Sequence, residues 1–202
     1  MLYVDTIPNG KGGVSFSPDG RRLAVLGCCQ PESTVEVWDA RSGEELFSPD
    51  AGGQANSIAF SPDGRLLGAG TEDGKVVLWN ARNGELIGPP IQAAAGAIGL
   101  ISFSPDGRLF VVSSSDQTVT LWDIASRKRI GNTFPIEPAV IPAAHFAPNG
   151  DVVIDYTAKA AVWPTDLQTW VRFACRVAGR DLTRGEWTEL LPDRPYRHVC
   201  AG

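Results

Sequence analysis

Phe16-Ser17-Pro18-Asp19-Gly20 is the stretch on which the fold turns. The same five residues stand at Phe60–Gly64 and Phe103–Gly107, and Phe146-Ala147-Pro148-Asn149-Gly150 is a variant. The four phenylalanines are 44, 43 and 43 residues apart. Spacing this even and this long marks a repeated supersecondary unit, and it is too long for a heptad or collagen pattern. Within each copy Pro presets one backbone angle, and Asp-Gly or Asn-Gly supplies the conformations of a tight hairpin. Alternating apolar runs flank every copy, so each one marks the bend between two strands.

Outward from the bends, each repeat predicts the same order of short strands. The first has Val14–Phe16, Leu23–Leu26, Thr34–Asp39 and a weaker Glu44–Phe47. The second has Ser57–Phe60, Leu66–Ala69, Val76–Trp79 and Glu85–Ile87, and the third Leu100–Phe103, Leu109–Val112, Thr118–Trp122 and about Arg129–Phe134. The fourth offers Ala144–Phe146, Val152–Asp155 and Ala160–Trp163, then stops at Pro164. Leu2–Ile7 reads as a spare strand ahead of the first repeat. In Val35-Glu36-Val37 and Val119-Thr120-Leu121 apolar and polar residues alternate, the period of a half-buried strand. One such unit cannot cover both of its faces, so the core must run between repeats.

Composition narrows the function classes. The chain has 202 residues, of which 43% are hydrophobic and 20% charged, as expected of an ordinary globular protein. Residues 1–165 carry net −6 and residues 166–202 net +1, so no basic stripe marks the repeats for nucleic acid. No apolar run reaches the length of a membrane span, and no signal peptide opens the chain, which predicts a cytoplasmic protein without a membrane partner. Cys28, Cys29, Cys175 and Cys200 lack metal-ligand spacing, and the only histidines are His145 and His198, so no metal or cofactor is expected. A bridge between Cys175 and Cys200 would close the tail, but a reducing compartment would oppose it.

The residues that carry a family resemblance are the Ser-Pro-Asp-Gly bend, the turns Thr71-Glu72-Asp73-Gly74 and Ser114-Ser115-Asp116-Gln117, and strands ending in Trp38-Asp39, Trp79-Asn80, Trp122-Asp123 and Trp163-Pro164. Over residues 13–165 the chain resembles the WD40 repeat family, in its prokaryotic style. The family's frequent Gly-His dipeptide is absent. The resemblance implies an all-β fold: a β-propeller segment of four blades, the last lacking its outer strand unless Leu2–Ile7 supplies it. Such a segment has three readings. Two chains form a homodimer that completes an eight-bladed ring, the chain is the C-terminal part of a longer propeller, or it closes alone.

After Pro164 the period changes from 2 to 3.6. Thr165 with Gln168, and Thr183 with Glu186, have capping-box form, which predicts two short helices in a tail spanning 166–202. The tail also resembles C-terminal extensions that follow WD40 repeats in large actinobacterial multidomain proteins.

The family resemblance implies a non-enzymatic protein-interaction or sensor scaffold, with Asn56, Glu72, Ser115 and Asp116 near the partner-binding loops. The alternative is a C-terminal regulatory part of a larger signalling NTPase or kinase. A catalytic centre is not expected: no second imidazole or nucleophile is placed beside His145, which alternation puts on an inner strand, or beside His198. Asp19, Asp63 and Asp106 are read as turn residues, not metal ligands. Arg172, Arg176, Arg180 and Arg184 recur every fourth residue, and on the first helix three of them form a basic edge, read either as a solvated face or as a contact for the acidic body or an anionic partner.

Overall fold

The computed structural model describes residues 13–27, 35–134, 143–156, 159–165, 175, 180–181, 183–190, 195–196 and 198. The strand expected at Leu2–Ile7, the first tail helix apart from Cys175, and Cys28, Cys29 and Cys200 lie outside them. The chain divides into two compact units, Met1–Val162 and Trp163–Gly202.

The first unit is built of antiparallel sheets, each running from an inner to an outer strand in chain order. Blade 1 comprises β1 (Val14–Phe16), β2 (Arg22–Leu26), β3 (Val35–Asp39) and β4 (Glu45–Phe47). Blade 2 has β5 (Ala55–Phe60), β6 (Leu66–Thr71), β7 (Lys75–Asn80) and β8 (Ile91–Gln92). Blade 3 has β9 (Ile98–Phe103), β10 (Leu109–Ser114), β11 (Val119–Asp123) and β12 (Arg129–Ile130). Blade 4 has β13 (Ala143–Phe146), β14 (Val152–Tyr156) and β15 (Lys159–Trp163), with three strands among the described residues.

The bends work as their sequence predicts. Ser17 Oγ donates to Asp19 Oδ1 at 2.6 Å and accepts from Arg22 N–H at 2.9 Å, while Gly20 sits at φ 67°. The hydroxyl thus satisfies groups that a two-strand crossing would leave unpaired. Ser61 with Asp63 and Ser104 with Asp106 repeat the geometry, at 2.6 Å each. Hydrogen bonds from Ser17 and Arg21 hold the Asp19 carboxyl below its usual value, and Ser104 does the same for Asp106. These aspartates are turn residues.

The fourth bend differs because Ala147 has no hydroxyl. Ala147 N–H reaches Asp151 O directly, and Phe146 pairs with Val152, six residues on, where Phe60 pairs with Leu67 and Phe103 with Phe110, seven residues on. The hairpin is one residue shorter, yet Phe146 and Val152 still share a face.

The core lies between blades. Ala24, Leu26, Val35 and Val37 of blade 1 meet Ile58, Phe60, Leu67 and Trp79 of blade 2. Val76, Leu78 and Ile91 of blade 2 meet Ile101, Phe103 and Phe110 of blade 3. Small residues make room: a Cβ on Gly68 would fall 2.8 Å from the Phe103 ring, and one on Gly70 2.2 Å from Ile98. Inner strands are also tied across blades, since Phe60 N–H donates to Ser15 Oγ and Phe146 N–H to Ser102 Oγ, both at 3.2 Å.

Outer strands depart most from expectation. In blade 2 the residues predicted as strand, 85–87, pair with β7 through a bridge between Trp79 and Leu86 and through Asn80 N–H to Glu85 O and Ile87 N–H to Leu78 O, both 2.8 Å, and the pairing resumes further on at Ile91–Gln92. Between the two paired stretches, the guanidinium of Arg127 in blade 3 donates to Ile87 O and Pro89 O. In blade 3 the outer strand is cut to Arg129–Ile130.

The second unit contains α1 (Arg184–Leu190). Its predicted capping box is present: Thr183 N–H donates to Glu186 Oε2 at 2.7 Å and Glu186 N–H to Thr183 Oγ1 at 3.3 Å. Arg180 grips the same carboxylate at 2.8 and 2.9 Å, and hydrogen bonds from Arg180 and then Thr183 lower the Glu186 pKa to about 2. Trp187 is buried against Tyr196, and Arg184 lies over the Tyr196 ring. Arg180 and Arg184, two of the four recurring arginines, are therefore committed within the tail. His198 Nδ1 is 2.9 Å from Asp181 Oδ2 and its ring packs on Tyr196. Cys175 is disulfide-bonded. Among the described residues no helix is long and apolar enough to cross a membrane.

Candidate functional site

Strand order fixes two ends of each blade. The Ser-Pro-Asp-Gly bends and the turns from third to outer strand share one end. The turns from second to third strand, with the linkers between blades, share the other, called here the turn end. Asn56, Glu72, Ser115 and Asp116 all belong to the turn end.

The four residues differ in how they are held. Asn56 is the extra residue of a bulge in β5, between Ala55, opposite Thr71, and Ser57, opposite Gly70. Its side chain is partly buried, while those of Glu72 and Ser115 are exposed. No side-chain hydrogen bond is formed by any of these three among the described residues.

Asp116 is a different case. Its Oδ1 accepts from Thr118 N–H at 3.0 Å and Thr118 Oγ1 at 2.6 Å. Its Oδ2 accepts from Ala95 N–H at 2.9 Å and Gly96 N–H at 3.2 Å, in the linker from blade 2. Partial burial pushes the carboxyl up, but the Thr118 and Ala95 hydrogen bonds outweigh it and hold the acid below its usual value. Gly96 is required by this contact, since a Cβ there would stand 2.7 Å from Ser115 Oγ and 2.8 Å from Asp116 N. Asp116 ties two blades together and is not free to meet a partner as Glu72 is.

Asp73 holds the same position in blade 2 but acts locally. It accepts from Thr71 Oγ1 at 2.5 Å and pairs with Lys75. Those two partners, Lys75 first, lower its pKa. Asp116, unlike Asp73, is held by the backbone N–H groups of residues 95–96. The third-strand tryptophan of blade 3 donates to Thr120 Oγ1 at 2.8 Å, while Thr120 Oγ1 donates to Ala93 O at 3.3 Å.

Sequence reasoning missed Arg127 and Gly96. Arg127 occupies a left-handed position at φ 57°, where Gly43 and Gly84 stand in the first two blades. An arginine in a glycine's place is the signal that was there to be read. Asp50 joins Glu72, Asp73 and Asp116 at the turn end, where Lys75 and Lys159 each open a third strand. No group of three or more potential metal ligands occurs among the described residues.

Four-stranded antiparallel blades, stacked through faces that alternate large and small residues, define a propeller-type repeat protein. The family model "WD domain, G-beta repeat" matches residues 46–80 and 92–123, so these two segments are WD40 repeats. It is 37% identical over 73 residues to a guanine nucleotide-binding protein subunit beta of Nicotiana tabacum, covering 35% of this chain and 19% of that protein. It is 51% identical over 41 residues to WD repeat-containing protein 38 of Homo sapiens, covering 20% and 13%. Small ribosomal subunit protein RACK1z of Oryza sativa subsp. japonica matches at 33% over 82 residues, covering 39% and 23%. The chain spans less than a quarter of the length of these relatives.

Proposed function

We propose that the chain is a non-enzymatic scaffold that contacts a protein partner through the turn end of blades 2 and 3. The observation that carries this reading is the contrast between Glu72, Ser115 and Asn56, which hold nothing, and the neighbouring Asp73 and Asp116, which are fully used. Rigid turns presenting uncommitted polar side chains suit recognition. Two similar proteins are by name subunits of larger assemblies, which supports the same class of role. We place Glu72 and Ser115 in direct contact with the partner and assign Asp116 to positioning. We propose a cytoplasmic location on the sequence pattern alone.

A photoreactive amino acid at Glu72 or at Ser115 tests this in cells. Cross-links to one protein from both positions are expected, with none from a control at Arg82 on the opposite end. Equal cross-linking from Arg82 would overturn the reading.

A second reading is favoured by the tail. Its helix, cap and aromatic cluster form a compact unit of their own, suited to a C-terminal regulatory part of a larger signalling NTPase or kinase. The eight-bladed homodimer draws no support from these observations.

A further inference from the structure

The turns of blades 2 and 3 share one backbone frame. Thr71 pairs with Ala55 and Ser114 with Ile98, each beside a bulge. Glu72 N–H reaches Gln54 O and Ser115 N–H reaches Ala97 O, both at 2.8 Å. The two turns also close alike, with Gly74 N–H on Thr71 O and Gln117 N–H on Ser114 O, and with Gly74 and Gln117 left-handed at the same place. Asp73 and Asp116 are therefore equivalent, and the linker residues Gly52 and Gly53 are equivalent to Ala95 and Gly96.

The equivalence ends at the side chains. In blade 3, Thr118 holds Asp116 Oδ1 and leaves Oδ2 to the amides of Ala95 and Gly96. In blade 2 the place of Thr118 is taken by Lys75, whose ammonium donates to Asp73 Oδ2 while Thr71 Oγ1 donates to Oδ1. Both oxygens are engaged within the turn, and the linker is left to itself.

The linker keeps the means to receive a carboxylate. Gly52 N–H is held by Asp50 Oδ1 at 2.7 Å, and Gly53 N–H makes no hydrogen bond among the described residues. Gly53 is exposed, where Gly96, beneath its carboxylate, is partly covered. No heavy atom lies within 4 Å of a Cβ built on Gly52 or Gly53, whereas one on Gly96 meets Ser115 and Asp116. An amide that holds an aspartate in one repeat thus stands open in the other, and two glycines give its linker the freedom to close.

The contact that withholds Asp73 lies in solvent. The Lys75 and Asp73 side chains are 41% and 50% exposed. Ion pairs this open hold weakly and are screened by salt, whereas a carboxylate on a backbone amide needs no counter-charge.

We propose that Asp73 is a two-position latch, held on its own turn by Lys75 and able to close onto the Gly53 amide as Asp116 closes onto Gly96. Lys75 is its control residue: when the ammonium is removed or screened, the linker entering blade 2 is fastened to the turn beside Glu72. Exchanging the two control residues in the full chain tests this, read by amide hydrogen exchange at single residues. Lys75→Thr, which gives blade 2 the residue of blade 3, is expected to slow exchange at Gly53 by about fivefold or more. Adding Asp73→Ala should abolish that protection. Thr118→Lys should release the other latch and speed exchange at Gly96 by about fivefold or more. In the wild type, added sodium chloride should slow Gly53 in the direction of Lys75→Thr, and Asp73→Ala should remove the response. Thermal melts confirm that each variant is folded, and Lys75→Met, which also lacks the charge, stands in if Lys75→Thr does not fold. Exchange at Gly53 that keeps its wild-type rate in the folded variant would overturn the proposal. Protection at Gly53 that survives Asp73→Ala would overturn it too, because another group would then be the occupant.

Discussion

The turns of blades 2 and 3 start from the same design and end in different work. Thr71-Glu72-Asp73-Gly74-Lys75 closes on itself, with Asp73 held by Thr71 and by Lys75 two residues on. Ser114-Ser115-Asp116-Gln117-Thr118 spends half of its aspartate on Ala95 and Gly96, across the junction with blade 2. One carboxylate shapes a loop, while the other fastens two blades. What separates them is the neighbour within reach, and not the residue type.

The contrast breaks most visibly at Gly96. Gly96→Ala pushes a methyl group into Ser115 Oγ and the Asp116 backbone, and is expected to cost about 2 kcal/mol or more, since overpacking against backbone relaxes poorly. A urea melt of the full chain measures it. Gly53→Ala, with nothing near its Cβ, is the matched control and should change little.

Removing the carboxylates comes next. Asp116→Ala orphans linker and turn donors together and is expected to cost about 1.5 kcal/mol, against about 0.5–1 kcal/mol for Asp73→Ala, whose losses are local and solvent-exposed. Equal losses in thermal melts would erase the distinction. In Asp116→Ala alone, hydrogen exchange at Ala95 and Gly96 should accelerate.

Acid should sharpen the comparison more gently. Both aspartates are held below the usual value of 3.8, so unfolding takes up protons in the window just beneath it. Their contribution is fully present at neutral pH and is lost as pH falls below about 4 through the folded-state values. Asp116→Asn is expected to flatten the fall in stability between pH 5 and pH 2.5, as followed by denaturant midpoints.

The smallest effect is expected at Gln117. It sits at φ 65°, where blade 2 has Gly74 at φ 80°. Gln117→Gly relieves a left-handed conformation and is expected to stabilise the chain by about 0.5 kcal/mol, in part offset by the added freedom of the unfolded state.

The repeats were legible because the bend chemistry is local. Ser, Asp and Gly within six residues determine the hairpin, and Trp at the end of each third strand marks register without knowledge of any neighbour. Leu86 and Ile87 were legible as strand because their pattern is apolar, and they pair with β7, whereas the bond to Ile87 O from Arg127, some 40 residues on, carries no local signal. The same limit applies to the candidate site. Position placed Asn56, Glu72, Ser115 and Asp116 at one end, but the separation of Asp116 from the others depends on two amide groups of the linker, which carry no side-chain signature. In the tail, Thr183 and Glu186 were legible as a cap, whereas the hold of Arg180 on that same Glu was not, because the spacing of arginines suggested a solvated row.

The Arg127 clamp also bears on how the blades come apart. The segment from Ile87 to Pro89 belongs to blade 2 in sequence, yet its carbonyls are fastened by a side chain that is in place only when the outer turn of blade 3 is formed. The coupling is reciprocal: loosening of blade 3 frees the margin of blade 2, and fraying at that margin takes the same stabilisation from the turn of blade 3. In an array whose units meet through stacked faces, the clamp adds a second link between blades 2 and 3 at their outer edge.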